Sequence, residues 1–193
     1  MTEIATEIAS GLVSSVTIRR LVAADAEAFR VLRLAALQGA PDAFGSSPEE
    51  APDLDGCRAR LAPPNTVFGA FHRDAPASGA PPGEAGPQGE GTLRGMAGFS
   101  RNTGLKQRHK GFLWGVWVDP VLRGTGTGRA LVEAVIARAR GEVEALQCTV
   151  TTGNAVARAL YQRLGFVPYG IERRALRVEG RDLDEELLEM DLR

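Results

Sequence analysis

The fold of this chain is decided by residues 112–140, which read FLWGVWVDPVLRGTGTGRALVEAVIARAR. Phe112 to Val118 is an uncharged run rich in aromatic and branched side chains, which predicts a buried strand and is too short for a typical helix. Asp119-Pro120 ends this strand because proline cannot donate to a sheet ladder. Glycines alternate over residues 123–128, and a helical spacing of apolar residues begins at Arg129. The stretch is therefore predicted to be a strand, a glycine-rich turn and a helix.

A unit of this kind is suited to binding a pyrophosphate. The first turn of a helix has unpaired N–H groups and a partial positive charge, and glycines let an anion approach the backbone closely. An ATP-type loop needs Lys-Ser/Thr where this chain has Arg129-Ala130, and the third glycine of a dinucleotide-binding loop falls on Arg129. The pattern that fits is Arg-x-x-Gly-x-Gly, at Arg123, Gly126 and Gly128. The alternative is an ordinary glycine-rich turn, which would cost stability without a ligand.

A second segment, residues 154–166, reads NAVARALYQRLGF. Its apolar residues recur at helical spacing after Asn154, and Gly165 occupies the position that commonly ends a helix. Together, the two motifs resemble the signatures of the GCN5-related N-acetyltransferase (GNAT) family. The first motif matches through Arg-x-x-Gly-x-Gly and the apolar-apolar-x-Pro before it. The second matches through Asn154, Ala157, Leu160, Tyr161, Gly165 and Phe166.

The resemblance implies an α/β fold with a central mixed β-sheet of six to seven strands, flanked by helices and splayed between strands four and five. Local patterns along the chain predict the order β-α-α-β-β-β-α-β-α-β-β, with a parallel crossover from strand four to strand five. Asp25 is predicted to cap the first helix, a new strand to begin at Phe166 to Tyr169, and a final hairpin over 174–192 to turn at Glu179-Gly180.

Three regions are expected along the chain. Residues 1–15 are predicted to be a flexible N-terminal tail, and residues 16–193 a single domain. Nine of the 18 residues from 74 to 91 are Gly or Pro without a period, which predicts a flexible insertion within that domain.

The resemblance implies direct attack of a primary amine on acetyl-CoA, with Tyr161 as the general acid that protonates the leaving thiolate. A tyrosine pKa of about 10 lies close to that of a thiol. A backbone N–H near Trp117 or Val118 would stabilise the oxyanion, and no metal is involved. The residues implied to contact the cofactor are Val116, Trp117, Val118, Arg123, Gly124, Thr125, Gly126, Thr127, Gly128, Arg129, Asn154 and Tyr161.

The chain departs from the family pattern at the general base. Many members have a glutamate on strand four, but residues 112–118 contain no carboxylate. The base is left unassigned, with Glu49, Glu50, another group near the substrate loops or water as alternatives. In an alternative interpretation, Asn154 only caps a helix and Tyr161 is a core residue. A non-catalytic acyl-CoA-binding domain of the same fold and a different nucleotide-binding protein are the rival functions.

Composition limits the partners. The formal net charge is −1, so no strong field draws the chain to nucleic acid or to an anionic membrane. The two cysteines are far apart and have no metal-ligand spacing, which favours a reducing cytoplasm. No apolar run reaches 18 residues, and the N-terminus lacks the features of a signal peptide. A homodimer is a further partner that the family suggests.

The amine acceptor is not identified by the sequence. The resemblance implies that the loop over residues 43–47, the segment near Arg58 and Arg60, and the turn over residues 174–185 select a small molecule or a peptide. The acidic residues of that turn either attract a cationic acceptor or form a solvated face.

Overall fold

The computed structural model of the protein describes residues 16–73 and 91–193, so the predicted tail over 1–15 and nearly all of the insertion over 74–91 lie outside the described residues. The predicted order of strands and helices is confirmed. The strands are β1 Val16–Arg20, β2 Thr66–His72, β3 Thr92–Arg101, β4 Lys110–Val118, β5 Ala145–Thr151, β6 Val167–Val178 and β7 Arg181–Asp191. The helices are α1 Ala26–Gly39, α2 Leu54–Leu61, α3 Thr127–Ala139 and α4 Ala155–Arg163.

The strands form one seven-stranded mixed sheet in the order β1-β2-β3-β4-β5-β7-β6. Neighbouring strands are antiparallel except β4 and β5, which form the predicted parallel pair. The pairing of β4 with β5 covers only residues 110–112 and 145–147. Beyond Phe112 and Gln147 the two strands diverge, which confirms the splay expected between strands four and five.

The sheet separates two hydrophobic cores. On one face, α3 and α4 pack over the central strands through residues such as Leu131, Val135 and Tyr161. On the other face, α1 and α2 cover β2, β3 and the end of β4, with Phe29, Cys57 and Trp117 at the centre of the packing. The gap between β4 and β5 therefore lies between helices on both faces.

Two local predictions differ from the structure. Asp25 precedes α1, but its carboxylate accepts hydrogen bonds from Arg19 and from the Val22 N–H instead of capping the helix. The final hairpin turns at Glu179-Gly180, as predicted, with φ of 49° and 79°. However, β6 runs unbroken from Val167 to Val178, because bulges opposite β7 absorb the irregular stretch in its middle.

Candidate active site

A cavity of about 280 Å³ occupies the gap where β4 and β5 diverge. It reaches both faces of the sheet, because its lining includes Tyr161 of α4 on one side and Arg33 of α1 on the other. Gly115 and Val116 supply the β4 wall at a register irregularity, and Gly115 has φ +64°. This is an arrangement in which two ligands entering from opposite faces would meet.

Tyr161 is buried in this cavity wall. Only 6% of the residue is exposed, and its ring packs edge to face on Phe166 with the centroids 5.7 Å apart. Its hydroxyl has no hydrogen-bond partner among the described residues. Burial raises the pKa of this hydroxyl well above its usual value, and Cys148 nearby raises it further. The expectation of a pKa near 10 is therefore wrong, and the phenol stays protonated through the neutral range.

Asn154 caps α4, which is one of the two roles that the sequence suggested for it. Its side-chain oxygen accepts a hydrogen bond from the Ala157 N–H at 3.1 Å and so begins α4. The residue also lines the cavity. The amide nitrogen has no partner within the described part of the chain. Capping through the oxygen and ligand contact through the nitrogen are therefore compatible.

The glycine-rich loop joins the end of β4 to α3. Gly124 and Gly126 have φ of 77° and 90°, a region that favours glycine, and α3 begins at Thr127, two residues earlier than the pattern indicated. No side chain caps the first N–H groups of α3. Arg123 folds back so that its Nε donates to the Val118 carbonyl at 3.1 Å. The loop therefore presents free backbone N–H groups beside the end of β4.

The predicted cofactor residues do not all lie in one place. Val116, Asn154 and Tyr161 come together in the cavity lining. Trp117 turns away into the core beneath α1 and α2, where it is 9% exposed. Val118 packs toward α3 instead, near Gly128. The loop from Arg123 to Arg129 is outside the cavity lining and follows the end of β4 along the chain.

Glu185 is a lining residue whose importance the sequence did not reveal. Thr149 of β5 lines the cavity with it, and an interaction of the Thr149 hydroxyl with the carboxylate contributes to the pKa of Glu185. Its neighbour Glu186 points to the other face of the sheet, where it binds Arg158 of α4 at 2.9 Å. Burial raises the pKa of the Glu185 carboxyl, and the charge of Glu172 adds to the rise, although the interaction with Thr149 opposes it. Glu49 and Glu50, suggested from the sequence as bases, are outside this lining.

Two arginines line the side of the cavity under α1 and α2. Arg33 is 7% exposed, and its Nη1 atom is buried without a hydrogen-bond partner in the part of the chain that the structure describes. Its guanidinium lies 4.7 Å from the centre of the Phe44 ring. Arg60 lies over Trp114 at 5.9 Å. Burial lowers the pKa of Arg33 to about 10, and repulsion from Arg60 contributes to the fall.

Two aspartates of the final hairpin pair with arginines of the same hairpin. Asp184 pairs with Arg173, and Asp182 pairs with Arg177. Asp42, from the loop after α1, pairs with Arg181. Asp42, Arg181, Asp182 and Asp184 line, together with residues 151–154, a second and more open cavity of about 750 Å³ next to the first. For Asp182 and Asp184, the pairing favours the solvated-face interpretation over attraction of a cationic acceptor.

The described residues form neither a metal-binding cluster nor a membrane-spanning helix. Across residues 16–73 and 91–193, no group of three or more His, Cys, Asp and Glu side chains has an arrangement that would hold a metal ion. Within the same ranges, none of the helices has the length and apolar character needed to cross a membrane.

Comparison with known proteins gives a consistent picture. The model of the acetyltransferase (GNAT) family matches residues 49–166. N-alpha-acetyltransferase RimI of Mycobacterium tuberculosis is 40% identical over 97 residues, which are 50% of this chain and 60% of that protein. L-2,4-diaminobutyric acid acetyltransferase of Chromohalobacter salexigens is 46% identical over 54 residues, 28% of each chain. This chain thus spans less than two thirds of the length of these relatives.

Solved structures share the fold. The yncA protein of Salmonella typhimurium, in a structure with its cofactor acetyl-CoA, superimposes with a TM-score of 0.74 at 22% identity, covering 92% of this chain and 94% of that one. A ribosomal-protein-alanine N-acetyltransferase from Brucella melitensis gives a TM-score of 0.71 at 24% identity, covering 91% and 99%.

Proposed function

The chain belongs to the GNAT family of acetyltransferases, and from this premise we propose that it transfers the acetyl group of acetyl-CoA to a primary amine. The observation that carries the proposal is the cavity between the diverging strands β4 and β5, which brings Val116, Asn154 and Tyr161 together. Unpaired backbone groups on β4 and an unpartnered tyrosine hydroxyl are what a thioester arm and its sulfur would require there.

Acetyl-CoA would be held in two places. Its pyrophosphate would lie on the N-terminus of α3, where Gly124 and Gly126 shape the loop and the first N–H groups lack side-chain caps. Its pantetheine arm would follow β4 from Val118 toward Val116 into the gap. The Asn154 amide nitrogen would donate to this arm while the oxygen continues to cap α4.

The reaction would proceed by direct attack. The amine nitrogen bonds to the carbonyl carbon of the thioester, the C–S bond breaks, and the sulfur leaves with the bonding electron pair. The nitrogen then releases its second proton to solvent, which gives the neutral amide. Tyr161 would donate its hydroxyl proton to that sulfur and be reprotonated from solvent. Tyr161 is in the protonated form that this role needs, although its raised pKa makes the hydroxyl a weaker acid than a free tyrosine.

Glu185 would be the general base. An amine is protonated at neutral pH and must lose a proton before attack, and Glu185 is the carboxylate that lines the cavity. Its half-buried position raises its pKa toward the range in which a base both remains ionised and accepts a proton effectively. The strand-four glutamate of many family members would thus be replaced by a glutamate on β7.

A melting experiment tests the cofactor. We expect acetyl-CoA to raise the melting temperature of the protein by several degrees, since a ligand at 100 times its Kd adds about 2.7 kcal/mol of stability. Arg123→Glu should abolish this rise. The control is Arg140→Glu, at the opposite end of α3, which should keep it. A rise with ATP or NAD but none with acetyl-CoA would overturn the proposal.

An assay of coenzyme A release then distinguishes an acetyltransferase from the alternative, a non-catalytic acyl-CoA-binding domain of the same fold. An enzyme releases coenzyme A from acetyl-CoA when an amine is added, and the release is slower by about 100-fold or more in Tyr161→Phe. A binding domain shows the acetyl-CoA melting shift without release for any amine.

A further inference from the structure

We propose that Arg33 and Arg60 form a carboxylate-binding subsite, so that the acceptor is a small primary amine that carries a carboxylate. This inference rests on the proposed acetyl transfer, because it assigns the acceptor of that reaction. It concerns the face of the cavity covered by α1 and α2, away from the loop assigned to the pyrophosphate.

Arg33 is a buried cation whose surroundings do not compensate its charge. The residue is more than nine-tenths buried, lines the cavity, and leaves Nη1 without a partner among the described residues. A Cβ placed on Gly115 of β4 would lie 3.8 Å from this Nη1, so the guanidinium reaches the wall of the gap itself. A buried charge without a partner is costly, which indicates that a ligand supplies the missing anion.

Arg60 adds a second positive charge to the same wall. It lines the cavity beside Trp114 and lies close enough to Arg33 to lower the pKa of that residue. Neither arginine forms an ion pair with a carboxylate of the described residues, so their guanidiniums repel each other, and an anion that contacts both relieves the repulsion. Their planar N–H groups match the two oxygens of a carboxylate.

Other arginines of the described chain show the contrast. Arg58, two residues before Arg60 in α2 and outside the cavity lining, pairs with Asp55 at 2.7 Å and is exposed. Arg158, on the far side of the sheet, pairs with Glu186. The arginines that line the gap thus lack the carboxylates that neighbouring arginines have.

The carboxylate subsite and the base would hold the two ends of one acceptor. Glu185 lines the same cavity from β7 and carries the opposite charge. A molecule with a carboxylate on Arg33 and Arg60 and an ammonium on Glu185 has the charges of an amino acid. The cavity of about 280 Å³ has room for a small molecule of this class.

The test compares amines that differ only in the carboxylate. The twenty common L-amino acids and their α-carboxamides are assayed with saturating acetyl-CoA by release of coenzyme A, together with the dipeptides Ala-Asp and Ala-Ala. We expect at least one amino acid to exceed its carboxamide by tenfold or more in kcat/KM. A preference for Ala-Asp over Ala-Ala that exceeds every amino acid would move the carboxylate from a free amino acid to a peptide side chain.

Substitutions identify the arginine responsible. Arg33→Met should remove the preference for the acid over the amide, and Arg60→Met should reduce it. Arg58→Met is the matched control on α2 and should leave it unchanged. The melting temperature of Arg33→Met without acceptor should equal or exceed that of the parent, because a methionine removes an unpartnered charge; a large fall would assign Arg33 a structural role instead.

Two outcomes overturn the subsite. Amides used as well as acids, or no acid used in the whole panel, would contradict the carboxylate assignment. Neither result affects the acetyl-CoA melting shift and its loss in Arg123→Glu, so failure of the subsite is distinguishable from failure of the proposed acetyl transfer.

Discussion

The rings of Tyr161 and Phe166 meet edge to face, with an interplanar angle of 61°, and the Phe166 N–H donates to the Tyr161 carbonyl at 3.0 Å. The end of α4 and the chain that follows it therefore hold the Tyr161 ring from two directions. The ring has a packing role that does not depend on its hydroxyl, since the hydroxyl has no partner among the described residues. Structure and chemistry at this residue can be separated by a single substitution.

Tyr161→Phe should lower kcat by about 100-fold or more while leaving the fold intact, because general acids contribute roughly 10²–10⁴-fold to such steps. The melting temperature should change by no more than a few degrees, since the ring contact with Phe166 remains. Acetyl-CoA affinity, measured by calorimetry, should stay within about threefold. Tyr169→Phe, on an exposed tyrosine of β6, is the control for loss of a phenol. Unchanged turnover would exclude Tyr161 as the acid.

Glu185→Gln should abolish the acidic limb of the pH profile. If Glu185 is the base, kcat/KM in the parent falls as the pH drops through the raised pKa of this carboxyl, because the protonated form cannot accept the proton of the amine. The variant should have low activity that varies little over the same pH range. The measurement is kcat/KM by coenzyme A release between about pH 5 and pH 9.

Glu172→Gln gives a second test of Glu185, which depends on the direction in which the pH profile moves. Glu172 lies opposite Glu185 in the register of β6 and β7, and its negative charge helps to raise the pKa of Glu185. Removing that charge favours the ionised form of Glu185. The acidic limb should therefore move to lower pH, with little change in the plateau. A limb that stays in place, or moves to higher pH, would argue that Glu185 does not control it.

Much of the fold was predictable because its signals are local. The uncharged run over residues 112–118, the helix after Asn154 and the turn at Glu179-Gly180 are each specified by residues close together in sequence. Asp25 was misassigned as a cap, because its partner Arg19 belongs to β1 and is brought beside it only by the fold.

The residues of the proposed acceptor side were harder to predict. Glu185 points into the cavity because of which β7 residues face that side of the sheet. Apolar residues lie on both faces of β7 (Leu187 and Leu188), so the alternation of polar and apolar residues did not predict this direction. The burial of Arg33 was predictable from the sequence, because it lies four residues after Phe29 and four before Leu37 on the buried face of α1. An arginine at such a position is a cue for a buried charge that needs a partner.

Asp25→Asn should destabilise the protein by about 2 kcal/mol at pH 7. Asp25 is fully buried and accepts two hydrogen bonds from Arg19, at 2.8 and 2.9 Å, and one from the Val22 N–H. Burial alone would raise the pKa of this carboxyl, but the hydrogen bonds and the charge of Arg19 lower it overall. Urea denaturation measures the free energy of unfolding in both proteins.

The pH dependence of this difference has a definite sign. A lowered pKa in the folded state means that Asp25 stabilises the protein above the unfolded pKa of about 3.9, and that this contribution is lost as the pH falls toward the folded value. The parent and Asp25→Asn should therefore converge in stability below about pH 4. Asp55→Asn, at an exposed carboxylate paired with Arg58, should change stability by less than about 0.5 kcal/mol at either pH. A constant difference across this range would contradict the role of the Asp25 charge.

Gly126→Ala and Gly128→Ala should have opposite effects, although both replace a glycine of the same loop. Gly126 has φ +90°, so a Cβ strains its backbone by about 1–2 kcal/mol and shifts the N–H groups at the start of α3. At Gly128, which is helical, a Cβ would meet Val118 at 3.5 Å and Leu160 at 3.8 Å, both ordinary contacts.

Gly128→Ala should consequently be neutral or more stable by about 0.5–1 kcal/mol, and should bind acetyl-CoA as the parent does. Gly126→Ala should melt at a lower temperature and also bind acetyl-CoA at least tenfold more weakly, because the pyrophosphate needs the backbone arrangement that only a positive φ at this position provides. Calorimetric titration with acetyl-CoA, performed below the melting temperature of each variant, separates the two effects. Equal affinities for the parent and Gly126→Ala would place the pyrophosphate elsewhere than on the N-terminus of α3.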